Sequence, residues 1–176
     1  MPIRIMDAEV LALALDRLAM QVLEKHPADD ALMLVGIERR GADLARRLMK
    51  LLEQKSGRPV PIGTLDINLY RDDWTSLAGM PVIGQSNIPG SVDEKNILLI
   101  DDVLFSGRTV RAALNALLDY GRPHKVELLV LVDRGYRELP IQADFVGKEV
   151  ETRREEHIDV RLAERDGEDA VDLSTC

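Results

Sequence analysis

Two adjacent carboxylates and a short hydroxyl-and-glycine turn lie close together in the middle of this chain. Asp101 and Asp102 follow a run of apolar residues, and the turn Ser106-Gly107-Arg108-Thr109 opens an amphipathic segment. The backbone N–H groups of such a turn, at the positive end of a helix dipole, can bind a phosphate. Carboxylates can accept hydrogen bonds from vicinal sugar hydroxyls. The spacing therefore predicts a site for a sugar phosphate.

The elements that must position these groups alternate between strand-like and helix-like patterns. Asp7 can cap a first helix, and helical spacing recurs over 42–54 and 108–120. Apolar runs predict strands at Leu32–Ile37, about Val60–Tyr70, Asn96–Ile100, Val126–Val132, Phe145–Val146 and His157–Leu162. This alternation predicts an α/β fold, with a mostly parallel twisted sheet and helices on both faces. Ligands of such sheets bind beyond the carboxyl ends of the strands, where Arg40-Gly41 and 101–109 should both lie.

Composition and charge limit the class of protein. The 176 residues predict one domain spanning 1–176, and 45% apolar residues can form a sizeable core. The single cysteine is Cys176, and no apolar run is long enough for a membrane span, so we expect a cytoplasmic protein with no membrane partner. The net charge of −8 argues against strong nonspecific binding to nucleic acid. The acidic segment 149–176 carries most of that charge and is predicted to be a solvated face.

Four sequence blocks resemble a known family. The segment IDDVLFSGRT is similar to the signature of the type I phosphoribosyltransferases, which implies that fold. Together with VGIERRG, DINLYRDD and the long block GRPHKVELLVLVDRGYRELPIQADFVGK, it resembles the pyrimidine-operon regulators of the PyrR family. The resemblance runs from residue 7 to about residue 163. It implies a bifunctional protein: a uracil phosphoribosyltransferase and a uridine-nucleotide-responsive attenuator that binds pyr messenger RNA.

The implied reaction converts uracil and phosphoribosyl pyrophosphate to UMP and pyrophosphate. In this resemblance Asp101 and Asp102 are the catalytic residues and hold the ribose hydroxyls. Arg40 and Gly41 take the pyrophosphate, and the Ser106–Thr109 turn holds the 5′-phosphate. The full set assigned to phosphoribosyl pyrophosphate is Arg40, Gly41, Asp101, Asp102, Val103, Leu104, Phe105, Ser106, Gly107, Arg108 and Thr109. Mg²⁺ is expected to bind through substrate oxygens and water, with no protein ligand set.

The resemblance also implies residues for the base, for a lid and for RNA. Its base contacts are Asp133, Arg134, Phe145 and Val146. A flexible lid loop is expected over about 70–92, with Tyr70, Arg71 and Asp72 as its first residues; without periodicity, 71–92 also fits a small hairpin. The expected RNA contacts are Arg17 and Arg137. However, Asp16, Met20 and Gln142 stand where side chains compatible with RNA are expected, so RNA binding should be weak or absent.

Two functions of different classes follow from this resemblance. The first is a salvage enzyme that uses uracil and phosphoribosyl pyrophosphate. The second is an RNA-binding attenuator that senses UMP or UTP in the same pocket and has only weak catalysis. A purine transferase is a third, enzymatic competitor, which the blocks DRGYRELP and DINLYRDD disfavour. The family further implies a homodimer or a homotetramer.

Overall fold

The computed structural model describes residues 2–28, 31–72 and 84–175, which form eight strands and four α-helices within these ranges. A 3-10 turn at Asn68–Tyr70 follows the third strand. In chain order the elements are β1 (Ile3–Met6), α1 (Ala8–Lys25), β2 (Leu32–Ile37), α2 (Arg40–Ser56), β3 (Ile62–Leu65), β4 (Asn96–Leu104), α3 (Arg108–Leu118), β5 (Lys125–Asp133), β6 (Phe145–Glu149), β7 (Glu156–Arg161), α4 (Ala163–Asp166) and β8 (Ala170–Thr175).

A parallel sheet of five strands, in the order β3-β2-β4-β5-β6, is the centre of the fold. All six residues of β2 are buried, as expected for a strand covered on both faces. One apolar cluster joins the sheet to α1 and α2, and a second cluster joins the opposite face to α3. The predicted α/β architecture with helices on both faces is therefore confirmed.

Local signals explain where several of these elements begin and end. The Val10 N–H donates to the Asp7 carboxylate at 2.9 Å, which caps α1 as predicted. The predicted strand to Tyr70 is shorter than expected, since β3 ends at Leu65. The Asp66 carboxylate accepts the Asn68 N–H at 2.9 Å, and this turn leads out of the strand.

A second, antiparallel sheet of order β1-β8-β7 joins the two ends of the described chain. The sequence reading missed β1 and β8 and placed 157–162 in the main sheet, which is wrong. Its reading of 149–176 as a solvated face is also wrong in part, because Asp172 is buried with its carboxylate 2.6 Å from Arg4 Nε. Arg161 pairs with the same carboxylate. Ion pairs between its acidic residues and arginines of this sheet thus allow this charged segment to be part of the fold.

The predicted loop over 71–92 lies only partly within the described residues. Residues 73–83, which include Trp74, lie outside them. Within the described part, Asn87 forms a bridge with Thr64 of β3, with N–H to carbonyl distances of 2.8 and 2.9 Å. No helix among the described residues is long and apolar enough to cross a membrane.

Candidate active site

The paired aspartates lie inside a strand, near its carboxyl end. β4 continues to Leu104, four residues beyond the predicted end at Ile100, and pairs with β5 as far as Asp133. Asp101 and Asp102 therefore have positions fixed by neighbouring strands. The Leu104 side chain is buried in the core, and its carbonyl accepts the Arg134 N–H at 3.1 Å. Val103 is half-buried beside it.

Asp101 is the more unusual of the two carboxyl groups. Its side chain is buried, and its Oδ1 accepts the Asp102 N–H at 3.0 Å. Burial raises the pKa of Asp101 well above its ordinary range, and the charge of Asp102 raises the pKa further. Asp102 itself is half-buried, and its Oδ1 accepts the Val103 N–H at 2.9 Å. The site thus offers one buried carboxyl group that favours its protonated form, beside a more accessible one.

The phosphate turn connects β4 to α3. Gly107 has φ of +91°, a left-handed conformation that favours glycine, and α3 begins at Arg108 with no side-chain cap. The Ser106 carbonyl accepts the Glu138 N–H at 2.9 Å, which holds the turn against the loop after β5. Thr109 lies half-buried at the second position of the helix. An uncapped helix end beside a hydroxyl-bearing turn has the geometry to bind an anion.

The connection from β2 to α2 and the first turn of α2 reach the same site. A Cβ atom on Gly41, the second residue of α2, would lie 2.4 Å from the Ile100 carbonyl oxygen, so the start of α2 contacts β4 immediately before Asp101. The peptide bond between Glu38 and Arg39 is cis. Arg40 follows, and its guanidinium donates to the Asp166 carboxylate at 3.1 Å. The structure therefore brings Gly41 to the aspartates and pairs Arg40 with the C-terminal segment.

A cavity of about 760 Å³ lies at the carboxyl ends of β5 and β6, lined by residues 133–137 and 149–152. Arg134 is buried, with its guanidinium carbon 4.2 Å from the centre of the Phe105 ring. Its Nη2 donates to the Arg153 carbonyl at 3.0 Å. Burial lowers the pKa of this guanidinium. Asp133 and Arg134 thus line the cavity, and Arg134 contacts Phe105, which directly precedes the phosphate turn.

Two of the four predicted base contacts lie elsewhere. Phe145 is buried in the core at the start of β6, paired with Leu129, and Lys25 Nζ lies 5.1 Å from its ring centre. The carboxyl rim begins at the Asp133–Glu149 pair, four residues further along, or about 13 Å at the rise of a strand. Phe145 and Val146 therefore do not line this cavity.

Residues 149–152 line the cavity and were missed by the sequence reading. Their types, two glutamates, a valine and a threonine, carry no signature of a base site. Only the parallel pairing of β6 with β5 could have indicated them, because it places the end of β6 beside Asp133.

The first residues of the predicted lid contact side chains of α3. Arg108 Nη1 lies 2.5 Å from the Asp72 carboxylate, and Arg111 Nη2 donates to the Tyr70 carbonyl at 3.1 Å. The Tyr70 hydroxyl donates to Asp119. Arg71 lies between Tyr70 and Asp72 in the sequence. The start of the predicted lid is therefore joined to the phosphate turn through Arg108.

The two arginines predicted to contact RNA make contacts within the protein. Arg17 donates to the Gly147 carbonyl. Arg137 donates to the Phe105 carbonyl at 2.9 Å and to the Ile141 carbonyl at 2.8 Å, and it pairs with Asp133. Arg17 thus joins α1 to β6, whereas Arg137 supports the loop that lines the cavity.

A divalent cation such as Mg²⁺ needs several oxygen ligands. No cluster of three or more His, Cys, Asp or Glu side chains suited to a metal exists in the described ranges. Asp101 and Asp102 are two oxygen-bearing groups beside the predicted sugar site. They fit a Mg²⁺ ion that takes most of its ligands from a substrate and water.

Comparisons with known proteins agree with this geometry. The family described as "Phosphoribosyl transferase domain" matches residues 4–165. "Bifunctional protein PyrR" of Elusimicrobium minutum is 52% identical over 169 residues, covering 96% of this chain and 94% of that protein. The protein of the same name from Thermus aquaticus is 49% identical, covering 96% of this chain and 93% of that protein.

Solved structures support the fold. A hypoxanthine phosphoribosyltransferase from Staphylococcus aureus superposes with a TM-score of 0.72 at 20% identity, covering 99% of this chain and 92% of that one. The hypoxanthine phosphoribosyltransferase of Trypanosoma cruzi has a TM-score of 0.74 at 14% identity, covering 98% and 95%. At these identities the likeness concerns the fold alone. The family match and the full-length identity of about half show that this chain belongs to the phosphoribosyltransferases and, among them, to the PyrR proteins.

Proposed function

We propose that this protein is a uracil phosphoribosyltransferase, which converts uracil and phosphoribosyl pyrophosphate to UMP and pyrophosphate. The observation that carries the proposal is the meeting of three segments at one rim. Asp101 and Asp102 lie near the carboxyl end of β4, the uncapped start of α3 follows that strand, and Gly41 in the first turn of α2 contacts β4 directly before Asp101. This rim offers groups suited to bind a sugar diol, a 5′-phosphate and a leaving pyrophosphate.

The reaction breaks the bond between the ribose C1′ and pyrophosphate and forms a bond from C1′ to uracil N1. The N1 proton leaves to solvent. Asp101 and Asp102 would hold the ribose 2′- and 3′-hydroxyls, and the charge of Asp102 would favour positive charge developing on the ring. The N–H groups of the Ser106–Thr109 turn would fix the 5′-phosphate. The Gly41 backbone and Arg40 would receive the pyrophosphate.

Mg²⁺ bound to the substrate would neutralise part of the charge of the departing pyrophosphate. The residues that would stand near it are Asp101 and Asp102. Burial raises the pKa of the Asp101 carboxyl group, whereas Asp102 is the more accessible of the two carboxyl groups.

Uracil would occupy the cavity between 133–137 and 149–152. This location supports a base site because the cavity adjoins the phosphate turn through Phe105 and Arg134. Asp133 and Arg134 keep their proposed base-binding role, whereas residues 149–152 replace Phe145 and Val146. The predicted lid from Tyr70 to Asp72 would then close over the sugar from the side of α3.

A regulatory role is the second candidate, since the relatives at about half identity carry the name "Bifunctional protein PyrR". In this role UMP or UTP would occupy the same cavity and alter binding to pyr messenger RNA. We propose that RNA binding is weak here, because Arg17 and Arg137 are already engaged with protein carbonyls. We further propose a single functional domain over 1–176, cytoplasmic, and assembled as a homodimer or homotetramer.

The test follows UMP formation from labelled uracil and phosphoribosyl pyrophosphate in the presence of Mg²⁺. We expect turnover by the natural protein and a fall of about 100-fold or more in Asp102→Asn, because a charge that stabilises the transition state is lost. Hypoxanthine should not replace uracil as acceptor. Nucleotide binding without turnover would instead favour the regulator.

RNA binding is tested separately, by titrating labelled pyr leader RNA at two salt concentrations. Weak binding with little dependence on salt is expected. Nanomolar affinity that falls steeply with salt would contradict the proposal of weak RNA binding and leave the transferase proposal intact.

A further inference from the structure

Three sets of ion pairs join the C-terminal segment to one face of α2. We call Glu164, Arg165, Asp166 and Asp169 the C-terminal clasp. Along α2, their partners are Arg40, Asp43 and Arg47, which are three and four residues apart and so share one side of the helix. The pairs are Arg40–Asp166 at 3.1 Å, Arg47–Asp169 at 2.7 Å, Arg47–Glu164 at 2.5 Å, and Asp43–Arg165.

We call residues 38–41, which join β2 to α2 and include the first two residues of α2, the pyrophosphate loop. The clasp contacts two of its residues. Asp166 pairs with Arg40, and Arg165 Nη2 lies 4.0 Å from the Glu38 carboxylate. Asp166 is itself fixed, because its Oδ2 accepts the Leu162 N–H at 2.8 Å. That hydrogen bond, followed by the charge of Arg40, lowers the pKa of Asp166, so this carboxylate is ionised at neutral pH.

Arg40 keeps unused hydrogen-bonding capacity. Its contacts with Asp166 come from Nη2 alone, at 3.1 and 3.4 Å. Its Nε is buried and has no hydrogen-bond partner among the described residues. A guanidinium carries five N–H donors, and a phosphate group can accept several of them at once. The side chain is therefore restrained by one carboxylate while most of its donors remain available.

We propose that Asp166 is a positioning residue that holds Arg40 away from pyrophosphate, so that the clasp sets the affinity of the loop for pyrophosphate and for phosphoribosyl pyrophosphate. The inference rests on the proposed function, in which Arg40 meets the pyrophosphate. A ligand phosphate competes with the Asp166 carboxylate for the Arg40 guanidinium. Neutralising Asp166 removes this competition.

The sign of the effect separates this role from a structural one. If Asp166 merely braced the loop, its loss would weaken anion binding, since a less ordered loop binds less tightly. Competition predicts the opposite. We expect Asp166→Asn to bind inorganic pyrophosphate about fivefold more tightly in the presence of Mg²⁺, with an equal fall in the KM for phosphoribosyl pyrophosphate. The KM for uracil should not change, and Asp166→Glu should restore the original affinity.

The matched control is Glu164→Gln. It removes the same charge from the clasp but faces Arg47, about 10 Å further along α2 at the rise of a helix. Its affinity for pyrophosphate should stay within about twofold of the natural protein, because exposed ion pairs contribute little at that distance. A gain equal to that of Asp166→Asn would overturn the proposal, since any loosening of the clasp would then suffice.

A double-mutant cycle with Arg40→Gln tests whether Asp166 acts through Arg40. Calorimetric titration with pyrophosphate would be done on the natural protein, both single variants and the double variant. We expect Asp166→Asn to have no effect in the Arg40→Gln background. An undiminished effect there, or unchanged affinity of Asp166→Asn alone, overturns the inference. If the natural protein binds neither pyrophosphate nor phosphoribosyl pyrophosphate, the proposed function fails as well.

Discussion

The two carboxyl groups at the end of β4 differ in their surroundings, although they are neighbours in sequence. Asp101 is only 6% exposed and has no cation paired with it among the described residues, whereas Asp102 is half-buried. Burying a titratable carboxyl group in such a place opposes folding at neutral pH, because burial disfavours the charged form that the unfolded chain adopts there. A residue that weakens the fold in this way is typical of a site selected for binding or catalysis.

Asp101→Asn should therefore stabilise the protein at neutral pH while lowering its transferase activity. The folded state binds the Asp101 proton more tightly than the unfolded chain, so the free energy of unfolding falls as pH rises from the ordinary aspartate range through the raised pKa. We expect a gain of about 1–2 kcal/mol at pH 7, which disappears at pH 3. Urea unfolding at both pH values measures it, and equal stability at pH 7 would contradict it.

At the scale of elements, the site depends on three loops that leave neighbouring parallel strands at the same edge. The phosphate turn is the most constrained of them. Gly107 has left-handed φ, and a Cβ atom there would lie 3.3 Å from the Ile141 side chain. The same loop also holds the turn through the N–H groups of Glu138 and Leu139, which donate to the Ser106 carbonyl. Its shape is thus fixed before any ligand binds.

Gly107→Ala should lose about 1 kcal/mol of stability and also bind phosphoribosyl pyrophosphate less tightly, because the N–H groups of the turn would shift. Gly57→Ala is a matched control. Gly57 ends α2 with φ of +70° and has no heavy atom within 4 Å of an added Cβ. It should show a similar loss on thermal unfolding with an unchanged KM. A normal KM in Gly107→Ala would mean that the turn does not bind the phosphate.

For the whole molecule, a buried charge cluster joins α1 to the sheet at the edge opposite the site. Glu127 of β5 is only 2% exposed and meets Lys25, His26 and Lys125. Burial alone would raise the pKa of Glu127, but hydrogen bonds from Lys25, Lys125 and His26 outweigh it and lower the pKa to about 2. The His26 side chain is only 8% exposed and is part of this buried cluster.

Glu127→Gln should reduce the free energy of unfolding at pH 7 by about 2 kcal/mol, the contribution of hydrogen bonds to a charged group. Because the folded-state pKa is lowered, this stabilisation is present above the unfolded value near 4.3 and is lost as pH falls toward 2. The variant should therefore show a flatter dependence on pH in that range.

Asp144→Asn is the control for this prediction, since Asp144 is exposed and its carboxylate lies 3.8 Å from the same Lys25. It should change stability by less than about 0.5 kcal/mol. Urea unfolding of both variants between pH 2 and pH 7 provides the measurement. Equal losses of unfolding free energy in Glu127→Gln and Asp144→Asn would contradict the prediction that the buried carboxylate contributes more than the exposed one.

The sequence by itself determined the parallel sheet, its helices and the sugar-phosphate groups, because these depend on local signals. A continuous apolar run predicts a strand such as β2, and the spacing from Asp101 to Thr109 indicates a strand followed by a turn and a helix start. The reaction class followed from the family resemblance that this segment and the other three sequence blocks carry. These features do not depend on the details of tertiary packing.

Only the tertiary structure decided which residues reach the base cavity and what the charged C-terminal segment does. Phe145 looked like a base contact, yet the pairing of β6 with β5 places it in the core and brings residues 149–152 to the rim. The acids of 164–169 looked solvated, yet they pair with Arg40 and Arg47, more than a hundred residues earlier. Such contacts depend on strand register and on charge pairing over long sequence distances, which no local pattern encodes.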